Sequence, residues 1–109
     1  MRPLIAVLAL TLAGCTYATD AEIKAADKPW SDCVLREVAR LDDGKSDPLT
    51  IAYGVEPACA SLYAALTQTM QKGMITENAQ IYMQRNMRDN ELKLITSAVL
   101  NYRASHARK

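Results

Sequence analysis

Two cysteines, Cys33 and Cys59, restrict the possible folds of this chain more than any other feature of its sequence. Gly44 and Asp47 mark a turn between them, with Cys33 11 residues before Gly44 and Cys59 12 residues after Asp47. If both flanking segments are α-helices, each cysteine lies about 17 Å from the turn, because a helix rises about 1.5 Å per residue. An antiparallel helical hairpin would therefore place the two cysteines at the same level, on the faces that must meet.

Apolar residues recur at helical spacing on both sides of this turn. They are Trp30, Cys33, Val34, Val38 and Leu41 before the turn, and Ile51, Val55, Cys59, Leu62 and Leu66 after it. Pro29 and Pro48 each suit the first turn of a helix, and the side chain of Asp47 can cap the second helix. The sequence thus predicts an antiparallel helical hairpin over residues 29–72.

A third helix is predicted over residues 75–105. Thr76 can cap its N-terminus, and its second half carries a single apolar stripe. That stripe consists of Leu92, Ile95, Val99 and Tyr102. No alternating strand pattern and no internal repeat stand out in the sequence. The predicted fold is therefore all-α, a small three-helix bundle over residues 29–105 that is followed by a frayed tail at 106–109.

The N-terminal segment has the features of an export signal. Arg2 precedes an eleven-residue run, 3–13, in which only Thr11 is polar. This run is too short for a membrane-spanning helix, which needs about 20 apolar residues. Its length and its positive flank are typical of the hydrophobic region of a secretory signal peptide.

The apolar run ends in a four-residue motif, Leu12-Ala13-Gly14-Cys15, that resembles the lipobox of bacterial lipoproteins. The resemblance implies that residues 1–14 are a cleaved signal peptide, that Cys15 receives lipid, and that residues 15–28 form a lipidated tether. It also implies a periplasm-facing protein anchored in the bacterial cell envelope. Thr16, in place of Asp after the cysteine, is typical of lipoproteins sorted to the outer membrane. The alternative is an ordinary signal peptide with Cys15 as a bystander.

Acylation of Cys15 would leave an even number of cysteines, Cys33 and Cys59. An oxidising periplasm would allow these two to form a disulfide bond. In the chain-entropy model, a loop of this length is worth about 3–4 kcal/mol of stabilisation. A metal-binding pair or a redox pair is the alternative, but the C-x-x-C spacing typical of those functions is absent. We expect a structural disulfide.

The sequence offers few groups for catalysis. The single histidine, His106, lies in the basic C-terminal tail, and the sequence has neither a glycine-rich phosphate loop nor an H-x-x-x-H metal motif. The chain has 13 Lys and Arg against 12 Asp and Glu, and removal of Arg2 with the signal peptide leaves 12 of each sign. This balance argues against a nucleic-acid binder. We therefore expect a protein that is not an enzyme, uses no cofactor and binds no nucleic acid.

Four methionines raise the question of metal binding. They form two pairs at i, i+4 spacing on either side of the turn between the second and third helices, Met70 with Met74 and Met83 with Met87. Because thioethers bind Cu(I), a periplasmic copper-handling protein is an alternative function. Methionines that fill gaps in an imperfectly packed bundle are the simpler interpretation.

The third helix also carries the predicted binding surface. At about 45 Å it would be twice as long as the first predicted helix, at about 22 Å, so part of its C-terminal stripe would be left uncovered. An uncovered apolar stripe indicates self-association or a protein partner. The candidate contact residues are the basic Arg85, Arg88 and Lys93 and the apolar Leu92, Ile95, Val99 and Tyr102. The preferred function is a helical interaction module anchored in the envelope, and a regulator or inhibitor of an envelope enzyme is a further alternative.

Overall fold

Three helices follow one another in the computed structural model, which describes residues 18–72 and 76–107. α1 spans Asp20–Leu41, α2 spans Pro48–Met70 and α3 spans Glu77–His106. No strand occurs within those two described ranges. The predicted all-α fold, a helical hairpin followed by a long third helix, is confirmed. The motif that resembles a lipobox, with Cys15, lies outside the described residues, as do Met74 and the last two residues of the predicted tail.

α1 begins nine residues earlier than the sequence predicted, so the helix start at residue 29 was wrong, and residues 20–28 of the predicted tether are helical. Thr19 and Glu22 form a capping box that starts the helix. The Thr19 hydroxyl oxygen accepts a hydrogen bond from the Glu22 N–H at 3.2 Å, and the Glu22 carboxylate accepts one from the Thr19 N–H at 3.3 Å. Pro29 therefore lies inside the helix, where it removes one backbone hydrogen bond.

The turn between α1 and α2 is held by short local hydrogen bonds. Gly44 has a φ of 73°, a left-handed conformation that favours glycine. The Asp43 carboxylate accepts hydrogen bonds from the backbone N–H groups of Lys45 at 2.9 Å and Ser46 at 2.7 Å. The side chain of Asp47 then caps α2, as predicted. Aspartate and glycine thus act here as turn and capping residues.

A disulfide bond between Cys33 and Cys59 joins α1 to α2, with the two Cα atoms 5.9 Å apart. Both cysteines are buried. The prediction that these residues lie at the same level and form a disulfide is confirmed. The bond therefore ties the two helices together within the core.

α2 is the central helix of the bundle. It packs against both α1 and α3, whereas α1 and α3 have much less contact with each other. Its buried residues are Ile51, Ala52, Val55, Cys59, Tyr63, Leu66 and Thr67. By length and composition alone, α2 would also be apolar enough to cross a membrane. In the described structure its apolar face packs in the protein core.

α1 and α3 run parallel, with a constant offset between the residues that face each other. Trp30 contacts Glu91 and Asp42 contacts Arg103, and each pair is 61 residues apart in sequence. The same offset places Asp20, the first residue of α1, level with Ile81 near the start of α3. Because α1 starts at Asp20, it accompanies most of the length of α3.

Candidate interaction surface

The apolar stripe predicted as a partner-binding surface lies in the core of the single chain. Leu92, Ile95 and Val99 are buried, and their assignment as exposed contact residues was wrong. The physical reason is the register of the helices. The offset of 61 residues places these three residues level with residues 31–38 of α1, and this part of α1 covers the stripe together with the central α2. Tyr102 is only partly buried; its ring stacks on His106 with 3.9 Å between the ring centroids.

The three basic residues predicted to contact a partner have different surroundings. Arg88 lies 3.4 Å from the Glu56 carboxylate, and its guanidinium carbon is 5.9 Å from the centroid of the Tyr53 ring. Arg85 and Lys93 are exposed. Arg88 therefore contributes to the contact between α2 and α3 while 66% of its side chain stays exposed, so all three cations are accessible from solvent.

The methionines of the copper hypothesis are also in different surroundings. The Met87 sulfur accepts a hydrogen bond from the Thr67 hydroxyl at 3.2 Å, and its side chain packs against the core. Met70 is exposed and Met83 is half-buried. Within residues 18–72 and 76–107, no group of three or more His, Cys, Asp or Glu side chains could hold a metal ion. For Met87, packing is the role that the contacts support.

An open groove runs between α1 and α3, where the two helices have little direct contact. Its first part has a volume of about 260 Å³ and is lined by Trp30, Ser31, Val34, Leu35, Leu94 and Ala98. The groove continues past Asn101 and Ser105 to His106 at the end of α3. Leu35 and Leu94, one on each helix, are exposed to solvent by about half of their surface. We call this feature the α1–α3 groove.

The lining of the α1–α3 groove is uncharged. Among the described residues that form it, none is Lys, Arg, Asp or Glu. Ser31 and Ala98 are small, so they leave space at the bottom of the groove for side chains of another molecule. An apolar, uncharged groove between two helices is the kind of surface that binds the apolar face of a further helix.

A buried carboxylate lies next to this groove. Glu91 is 2% exposed, and its Oε2 accepts a hydrogen bond from the indole N–H of Trp30 at 2.9 Å. Burial raises the pKa of Glu91 above its usual range, and the hydrogen bond from Trp30 opposes this effect only in part. Burial, followed by the nearby Glu91 charge, also raises the pKa of Tyr63. The Trp30 ring lies 5.1 Å from that of Tyr63, so the three residues form one cluster.

Sequence reasoning missed Glu91 as a core residue. Its position four residues before Ile95, which lies on the buried stripe, was the available signal. A glutamate at such a position normally indicates the edge of the apolar stripe, since unpaired glutamates are rarely buried. Trp30 supplies the hydrogen bond that allows burial here, and only the parallel packing of α1 and α3 brings the two residues together.

A second polar contact closes the other end of the bundle. Arg103 donates hydrogen bonds to Asp42, of which the shortest is 2.7 Å, and one of 2.6 Å to the carbonyl oxygen of Ser46. This guanidinium holds the pKa of Asp42 below its usual range. Arg103 thereby fastens the C-terminal part of α3 to the turn between α1 and α2. Arg103 lies near the end of the predicted third helix, and its position in the sequence gave no indication of this contact.

No protein-family model, no curated protein and no solved structure matches this chain.

Proposed function

We propose that this protein is a small lipid-anchored module of the bacterial cell envelope that associates with a second copy of itself through the α1–α3 groove. It performs no catalysis in this proposal, and lipid on Cys15 holds it at the membrane. The observation that carries the proposal is the groove itself, since it is apolar, uncharged and open along two parallel helices. A groove of this type is suited to packing against another helix.

The direction of the helices favours a second copy as the partner. α1 and α3 both run away from the end of the bundle at which the Cys15 segment joins α1. A twofold axis parallel to these helices would bring two grooves together and leave both Cys15 residues at the same end. Two copies anchored in one membrane can therefore associate without either copy leaving it.

The charge balance agrees with self-association. After removal of Arg2 with the signal peptide, the chain has 12 charges of each sign, so two copies carry no net repulsion. Anchoring in one membrane would also raise the effective concentration of each copy near the other, which favours a weak apolar contact.

The oligomeric state of the full-length lipidated protein, extracted in a mild detergent, tests this proposal. We expect sedimentation velocity to give a dimer for the unmodified chain and a monomer for Leu35→Glu, because the new carboxylate would be buried in the contact. Leu100→Glu is the matched control. Leu100 is 52% exposed, against 55% for Leu35, but it does not line the α1–α3 groove.

The outcomes of this experiment separate the possible occupants of the groove. Loss of the dimer in Leu35→Glu but not in Leu100→Glu supports the proposal, provided that both variants keep the helical circular dichroism of the unmodified protein. An unmodified protein that is monomeric, or that binds a different envelope protein through Leu35, overturns self-association. Equal loss of the dimer in both variants would place the contact elsewhere and also overturns it.

A further inference from the structure

We propose that the end of the bundle nearest Cys15, formed by the start of α1, the end of α2 and the start of α3, rests directly on the membrane surface. Exposed apolar side chains at this end would enter the boundary between lipid headgroups and acyl chains. This inference rests on the acylation of Cys15 in the proposed function. It adds a second membrane contact, made by the folded domain itself.

The length of chain between the lipid and the fold is short. Only four peptide units separate Cys15 from Thr19, the residue that caps α1. A fully extended chain of that length spans at most about 14 Å. Lipid on Cys15 would therefore hold the start of α1 within this distance of the headgroups, since the capping box begins the helix at Asp20.

The ends of the other two helices lie at the level of the start of α1. The Lys72 ammonium lies 2.8 Å from the Glu22 carboxylate, which joins the chain just after α2 to the first turn of α1. The constant offset between α1 and α3 places Ile81 level with Asp20. All three helices thus present an end at the level where the tether joins the fold.

Three large apolar or aromatic side chains are exposed at this end, and one of them has the highest exposed fraction among the large apolar side chains of the described residues. Met70, Ile81 and Tyr82 are exposed, and Tyr82 is 72% accessible to solvent. Over residues 77–90, all of which the structure describes, no side chain is buried. Tyrosine is enriched at membrane interfaces, where its ring lies among the headgroups and its hydroxyl stays in water.

The charges at this end balance each other. The three cations Lys24, Lys72 and Arg85 accompany the three anions Asp20, Glu22 and Glu77. The contact with the membrane therefore depends on apolar and aromatic side chains, and we expect it to form equally well on zwitterionic and anionic lipids.

Fluorescence quenching in vesicles tests this contact. Full-length lipidated protein carrying Tyr82→Trp is reconstituted into phosphatidylcholine vesicles whose acyl chains are brominated close to the headgroup, and its emission is compared with that in unbrominated vesicles. Trp30 is present in every variant, so the unmodified protein supplies the background. We expect bromination to reduce the emission of the added tryptophan, because an indole at the interface lies close to the brominated part of the acyl chains.

Leu100→Trp is the matched control, since Leu100 is also exposed. It lies 18 residues after Tyr82 in the same helix, or about 27 Å farther from the proposed contact. Its emission should not change with bromination. A tenfold range of anionic lipid content should leave the quenching of Tyr82→Trp unchanged, whereas quenching that requires anionic lipid would overturn the apolar contact proposed here.

Failure of this inference can be distinguished from failure of the anchor. Protein that floats with the vesicles but shows the same emission for Tyr82→Trp with and without bromine overturns the membrane contact and leaves anchoring intact. Protein whose N-terminus carries no acyl group by mass spectrometry, and which does not float with vesicles, overturns both.

Discussion

Glu91 is a glutamate in the core, although a carboxylate normally lies at the surface, where water solvates its charge. A carboxylate that is 2% exposed and hydrogen-bonded to a single indole lies in a region of low polarity between α1 and α3. In such surroundings the protonated form is favoured, so the charged form at neutral pH reduces the stability of the fold. This effect could not be predicted from sequence, because the two residues that form the contact are 61 positions apart.

We predict that the stability of the fold decreases as the pH rises through the weakly acidic and neutral range. Burial raises the pKa of Glu91 from the 4.5 of a free glutamate, so the unfolded chain releases this proton at a lower pH than the folded protein. The stabilisation from the protonated form is complete below about pH 4.5, the pKa of glutamate in the unfolded chain. It is lost as the pH rises through the higher pKa that Glu91 has in the folded protein. Urea unfolding from pH 5 to pH 8, followed by the emission of Trp30, measures this dependence.

The variant Glu91→Gln should reduce that pH dependence, because glutamine keeps an acceptor for Trp30 and does not titrate. Asp42 supplies an internal comparison. Its pKa is lowered by Arg103, so its contribution to stability is present above pH 3.8 and is lost only at more acidic pH, below the measured range. If the urea midpoint falls with rising pH by the same amount in Glu91→Gln and in the unmodified protein, Glu91 is not the cause of the pH dependence.

At the scale of the helices, the features set by residues close together in sequence were predicted, whereas contacts between distant residues were not. The apolar spacing of α1 and α2, the turn at Gly44 and the level of the two cysteines were all available from positions a few residues apart. The start of α1 was misplaced because Pro29 suggested a helix N-terminus, while Thr19 and Glu22 supplied a stronger one. The burial of the α3 stripe was mispredicted for a separate reason, the register of α3 against α1. The offset of 61 residues, set by contacts between distant residues, places the stripe level with residues 31–38 of α1.

We predict that reduction of the disulfide weakens the fold without changing its helical content at low temperature. The bond between Cys33 and Cys59 closes a loop of 26 positions, for which the chain-entropy model gives about 3–4 kcal/mol. Dithiothreitol should therefore lower the urea midpoint of the unmodified protein markedly. Circular dichroism at 222 nm under both conditions provides the measurement.

The double variant Cys33→Ala and Cys59→Ala is the control for reduction. Its urea midpoint should resemble that of the reduced protein and should not respond to dithiothreitol. An unmodified protein whose midpoint is the same with and without reductant would show that the bond contributes nothing to stability, which would contradict the prediction.

The apolar surface that the folded molecule exposes is not the one that its sequence predicted. The apolar stripe of α3 is enclosed by the bundle, and the exposed apolar surface includes the α1–α3 groove and the end nearest Cys15. Neither surface is visible as a pattern within one helix. The α1–α3 groove arises because α2 is central and leaves α1 and α3 in limited contact with each other.

We predict that association of two copies is insensitive to salt. The groove carries no charged lining residue in the described ranges, so its contact with a second copy depends on apolar burial. The dissociation constant from sedimentation velocity should change less than about twofold between 50 and 500 mM NaCl. A strong weakening with salt would instead implicate Arg85, Arg88 and Lys93, which are exposed cations of α3.

The parallel course of α1 and α3 fixes how far the two ends of the molecule are apart. The 22 residues of α1 separate its capping residue from the Asp42 end by about 33 Å. If the end nearest Cys15 rests on a bilayer, the helices point away from the membrane. The turn between α1 and α2, which Arg103 holds, is then the part of the protein farthest from the bilayer. A component of the envelope that lies about that far from the membrane surface would therefore contact this turn before any other part of the protein.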